Sequence, residues 1–344
     1  MHKTMEVNGE MVGYYETGRE DADYAILNLS GLGARSGKGN LRLADALSGK
    51  VENSRGMQTL RDELPKGAEK IEDMIKSLSG TYRTITPETP GGGFGSEVID
   101  DQTLDGLADH FADFAKKKGL QNVIIFGSSM GGALAIRIAA RHPELTGMLA
   151  LQGVMTEPDD LRESDYKMIQ KFTTKSWRRI ISLPVISHIA RFGLTQGIRF
   201  QKDFRLADKE GRSQMLRDSG KSEVPAYLLA LSGIGEDLGD EITKIDVPVV
   251  LLDGANVEVV SFDKTKKIAE RFHPEISGVD DRESLMEKIK ARKVLIYKIG
   301  GKGLGEQTHS VLNTTPEIMA VMTDHATKYF GLGKNNSAPT SKTL

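Results

Sequence analysis

Apolar positions along the chain fall into short continuous runs, and the stretches between the runs have helical spacing. AILNLSG (25–31), YRTITP (82–87), VIIFG (123–127), GMLALQG (147–153), PVVLLDG (248–254) and VLIYKIG (294–300) each read as a buried strand. Ahead of them, residues 4–18 alternate in character and turn at Asn8-Gly9, the pattern of a β-hairpin. LADHFADFAKKKG (107–119), MGGALAIRIAARHPE (130–144), KTKKIAERF (264–272) and PEIMAVMTDHATKYFG (316–331) place apolar residues on one helical face. Strands buried on both sides need helices on both sides. The alternation therefore predicts an α/β fold with a mostly parallel central sheet flanked by helices.

Two stretches break the rhythm. Residues 156–245 are rich in charge and lack a clear buried strand, so they read as a cap or lid inserted between core segments 1–155 and 246–332. Residues 35–78 read as a smaller insertion after the first core strand. The polar tail, 333–344, reads as disordered. Within the cap, SWRRIISLPVISHIARFGLTQGIRF (176–200) mixes apolar residues with arginines. A core-facing amphipathic helix is the simpler reading of it, and a lid touching lipid is the alternative.

Charge and composition narrow the chemistry. Among 344 residues, 46 Lys and Arg face 48 Asp and Glu, which gives no electrostatic case for nucleic acid. There is no cysteine, so disulfides, thiolate catalysis and cysteine-ligated zinc are excluded. The first residues lack the apolar core of a signal peptide, and no run approaches the ~20 apolar residues of a membrane span. A cytoplasmic protein with no membrane contact is expected. The loop GLGARSGKG (31–39) fails as a phosphate cradle, because Leu32 stands where a Walker loop needs Gly and Gly39 where it needs Ser or Thr. As a dinucleotide fingerprint it also fails, at Ser36.

Gly127-Ser128-Ser129-Met130-Gly131 satisfies G-x-S-x-G between a predicted strand and a predicted helix. A sharp turn there exposes the Ser129 hydroxyl, and the helix N-terminus favours negative charge beside it. The Met130 N–H can then donate to an oxyanion.

With these residues the chain resembles the α/β-hydrolase superfamily, in its capped esterase, lipase and proline-iminopeptidase-like branch. VNGEMVGYYETG resembles the opening hairpin. LNLSGLG (27–33) resembles the strand ending in His-Gly, with Ser30 in place of His. RTITPETPGGGFGS (83–96) resembles the next strand and loop, with Glu88 in place of Asp. ARHPE (140–144) ends the helix after the nucleophile as that branch does. The resemblance implies an α/β-hydrolase fold with an inserted cap. It also implies an oxyanion hole formed by the backbone N–H groups of Leu32 and Met130.

His309 lies in the loop GGKGLGEQTHS after the last predicted strand and before the last helix, the place for a general base that reaches Ser129. The superfamily's acid falls three residues after the Gly ending the seventh strand. Here that position is Val257, with Glu258 next. Glu258 is the expected acid. Asp253 is the alternative, Asp263 falls too far into the next helix, and Glu157 or Asp159, after the preceding strand, is another place where the superfamily carries its acid. The sequence thus predicts a serine hydrolase acting on a small carboxylic ester, an amide or lipid being less favoured, with no cofactor and no metal. A non-catalytic binding protein of the same fold, or an acyltransferase on the same site, are the alternatives.

Overall fold

The computed structural model describes residues 2–30, 38–51, 55–63, 65–90, 96–97, 99–101, 103–157, 236–254, 262–272, 294–299 and 316–334, together with 167, 189 and 192. Its centre is an eight-stranded sheet ordered β1-β2-β4-β3-β5-β6-β7-β8. The strands are β1 (His2–Val7), β2 (Glu10–Thr17), β3 (Tyr24–Leu29), β4 (Tyr82–Pro87), β5 (Val123–Ser128), β6 (Thr146–Gln152), β7 (Val249–Gly254) and β8 (Val294–Ile299). β1 and β2 form an antiparallel hairpin, and β2 runs antiparallel to β4. Every other pairing is parallel. The hairpin turn is Asn8-Gly9, both with positive φ (52° and 97°), the backbone a two-residue turn of this twist requires.

Both faces of the sheet are covered, as the apolar runs demanded. Consecutive residues divide between two cores. Leu27, Ile125, Leu149 and Leu251 pack with α4 (Leu104–Lys117), α5 (Met130–Arg141) and α7 (Phe262–Phe272). Their neighbours Ile26, Ile124, Ala150 and Leu252 pack with α1 (Lys38–Leu47), α3 (Pro65–Lys76) and α8 (Pro316–Tyr329). Between them, α2 (Arg55–Glu63) joins α3 in a small satellite core, and α6 (Gly239–Ile242) precedes β7.

Part of the stretch after β3 belongs to the main core. In α1, Leu43 and Leu47 are fully buried against the sheet. Two polar residues of the same helix are buried as well. Asn40 donates to Asn28 Oδ1 of β3 at 2.9 Å, while the Asn28 amide donates to Asn40 O and Thr86 Oγ1. Arg42 pairs with Glu317 of α8 at 2.8 Å. The asparagine contacts pin the start of α1 to the carboxyl end of β3, and the ion pair ties it to α8.

The strand order sets where chemistry can occur. The chain steps from β3 outward to β4, then crosses back to place β5 on the other side of β3. The helices that follow β3 and β5, α1 and α5, pack on opposite faces of the sheet, so the carboxyl ends of these two strands form a topological switch point, the place where open α/β sheets bind ligands.

Candidate active site

Ser129 sits at this switch point, between the last residue of β5 and the first of α5. Its φ of 55° and ψ of −120° lie in a region a side chain with a Cβ seldom adopts. Neighbouring hydrogen bonds enforce it. The Ser129 N–H donates to Gln152 O of β6 at 2.8 Å, and Ser129 O accepts the Gly132 N–H at 2.8 Å. The turn is tight enough that side chains are excluded around it. A Cβ on Gly127 would lie 2.3 Å from Gly131 O, and one on Gly131 would lie 2.3 Å from Leu29 O. The first turn of α5 therefore rests directly on the end of β3.

The Ser129 side chain is half-buried and caps no helix N–H. Its neighbour Ser128 turns the other way, donating to Gln152 Oε1 at 2.6 Å. Met130 is buried, and as the first residue of α5 its N–H has no carbonyl within the helix to pair with. The first turn of α5 carries no acidic residue. An N–H with no partner inside its helix, and the positive end of that helix beside a hydroxyl, form a place where a developing oxyanion can be stabilised.

The carboxylates proposed from sequence separate clearly. Asp253, at the end of β7, is 2% exposed, and its oxygens accept from the Gly153 N–H at 2.7 Å and the Thr265 hydroxyl at 2.5 Å. Burial pushes its pKa above the usual carboxylate value, although both hydrogen bonds pull the other way. Glu157 pairs with Arg271 of α7, which also donates to Thr156. Asp263 is the second residue of α7. Leu32, Asp159, Val257, Glu258 and His309 lie outside the described residues. Sequence reasoning passed over Gln152, whose carbonyl and side chain hold both serines of the motif. The only signal for it was a polar residue closing an apolar strand.

Among the described residues, no cluster of His, Asp and Glu could hold a metal ion, and no helix is long and apolar enough to cross a membrane.

Residues 64–256 match the family described as alpha/beta hydrolase fold. The chain belongs to that family. Among its relatives, a protein of Rhizobium rhizogenes bearing the name carbamate hydrolase RutD is 22% identical over 204 residues, 57% of this chain and 72% of its own length. A pimeloyl-acyl-carrier-protein methyl ester esterase of Nitrosomonas europaea is 28% identical over 188 residues, 54% of this chain and 71% of its own. A solved thermophilic esterase from Thermogutta terrifontis superposes with a TM-score of 0.59 at 14% identity, covering 96% of this chain and 99% of the other. At that identity the superposition speaks for the alpha/beta hydrolase fold alone. Family membership supports a hydrolase.

Proposed function

We propose that this chain hydrolyses a small carboxylic ester through an acyl-enzyme on Ser129. The observation that carries the reading is the backbone of Ser129. It is a non-glycine residue held at positive φ, at a helix N-terminus and at the strand ends where the sheet reverses its order. Strain of this kind, about 1–3 kcal/mol, persists where the surroundings enforce it and is concentrated at functional sites.

In this reading the Ser129 oxygen attacks the substrate carbonyl carbon while His309 accepts the hydroxyl proton. The N–H groups of Met130 and Leu32 hold the negative oxygen of the tetrahedral intermediate. The intermediate collapses, the ester C–O bond breaks, and the alcohol leaves with the proton from His309. Water, deprotonated by His309, then attacks the acyl carbon and releases the acid and Ser129. Glu258 orients His309. The ester substrate draws support from the methyl ester esterase among the relatives. Relatives named for different bonds leave the acyl and alcohol groups to be found by assay.

A fluorophosphonate probe and a panel of p-nitrophenyl esters of graded chain length test the reading together. The expected result is covalent labelling and turnover, both lost in Ser129→Ala and His309→Ala. A wild-type chain that neither labels nor turns over any ester overturns it. Product partition toward an added alcohol would identify an acyltransferase on the same serine.

A further inference from the structure

β6 and β7 end side by side, and β7 closes on a residue unlike those before it. Val249, Val250, Leu251 and Leu252 lead into Asp253, a buried carboxyl group whose hydrogen-bond donors among the described residues, the Gly153 N–H and the Thr265 hydroxyl, are both neutral. Burying a carboxyl group, charged or neutral, costs desolvation that its hydrogen bonds must offset. An apolar residue continuing the strand would avoid that cost, so its presence calls for a role beyond packing.

The Gly153 N–H belongs to the same peptide unit as the Gln152 carbonyl, and that carbonyl accepts the Ser129 N–H at 2.8 Å. One rigid plane thus carries Asp253 on one edge and the backbone of Ser129 on the other. Turning the plane to satisfy Gly153 elsewhere would swing the Gln152 oxygen away from Ser129. Thr265, in α7, fixes the second carboxylate oxygen and so fixes the acceptor itself.

We propose that Asp253 is a positioning residue for the nucleophile: it locks the Gln152–Gly153 peptide, which in turn holds Ser129 in its strained conformation. The inference rests on Ser129 being the nucleophile. It separates Asp253 from the task of orienting His309, because locking a peptide needs an acceptor oxygen and no charge. Burial, which favours the neutral form of Asp253, agrees with that distinction.

The test compares wild type, Asp253→Asn and Asp253→Ala by steady-state kinetics, fluorophosphonate labelling and amide hydrogen exchange at Ser129 and Gly153. Asn keeps an oxygen for Gly153, and the Thr265 hydroxyl can turn to accept from its NH2 group. Asp253→Asn is therefore expected to retain most of the wild-type kcat. Asp253→Ala is expected to lose roughly 10–100-fold in kcat with little change in KM. Its Ser129 and Gly153 amides should exchange faster than those of the neighbouring strands. A folded Asp253→Ala with unchanged kcat and protected amides overturns the proposal. So does a loss of roughly 10⁴-fold in Asp253→Asn, the signature of a triad acid. Should the wild type show no labelling, the nucleophile reading falls while the exchange rates still decide what Asp253 holds.

Discussion

At the scale of single residues, the determinants of the Ser129 turn are local. Gly127, Gly131 and Gly132 surround the serine in sequence as they do in space, which is why the motif is legible from the order of residues alone. The strain the turn stores makes a prediction. Ser129→Gly removes the Cβ from a positive-φ position, so it should raise stability by roughly 1 kcal/mol while abolishing labelling. Denaturant midpoints alongside Ser129→Ala check this, since alanine keeps the Cβ and should gain nothing. The acid was less legible than the serine. The sequence around Val257 and Glu258 holds no signature comparable to the three glycines. Nor could sequence show that Asp253, Gly153 and Thr265 converge, because that contact joins three different elements.

At the scale of elements, the strands were legible because each is a continuous apolar run, and all eight lie where those runs and the Asn8-Gly9 hairpin placed them. Helix α1 was not. KGNLRLADAL has its apolar face interrupted by Asn40 and Arg42, which are buried only because Asn28 and Glu317 meet them from distant parts of the chain. Glu16 of β2 shows a similar convergence at the sheet's edge, where Lys3 of β1, Arg83 of β4 and Lys118, just past α4, surround it. Burial opposes its ionisation. The hydrogen bonds from Lys3 and Arg83 and the nearby positive charges outweigh it and lower the Glu16 pKa to about 2 from an ordinary 4.5. A depressed carboxylate pKa stabilises the fold fully above the ordinary value, and the contribution is lost as pH falls toward the folded value. Glu16→Gln should therefore be less stable than wild type at neutral pH, and its stability should decline less as pH falls through that window. Urea midpoints at neutral pH and at the acid end of the window measure both effects.

At the scale of the whole molecule, the last helix closes the fold on its first half. Glu317 meets Arg42, Asp324 accepts from Tyr82, and Leu332 O accepts from Tyr24. The Arg42–Glu317 pair is almost wholly buried, at 5% and 1% side-chain exposure. Removing one partner takes this ion pair away from a buried charge. Arg42→Leu is expected to cost about 3–5 kcal/mol, and Arg42→Leu with Glu317→Leu markedly less than the sum of the single changes. Equilibrium unfolding of the three variants would show additivity if the pair were not coupled. Fold class was legible at this scale because alternation of strand and helix leaves few arrangements. The strand order was not, since it depends on which edges meet after the chain crosses back over β3.

The chain leaves the sheet after β6 and re-enters before β7, and the two ends of that excursion are fastened together. The Leu238 N–H donates to Thr156 O at 2.8 Å, Arg271 holds Thr156 and Glu157 on the way out, and Arg137 of α5 holds Glu236 and Glu241 on the way back. A segment clasped at its base can change in length and composition with little effect on the strands beneath it. Its base sits on the same rim as Ser129, and Arg137 anchors it to the helix that Ser129 begins. In evolutionary terms, that interval and the scaffold are then separately heritable: the one can be rewritten while the Ser129 turn passes down unaltered.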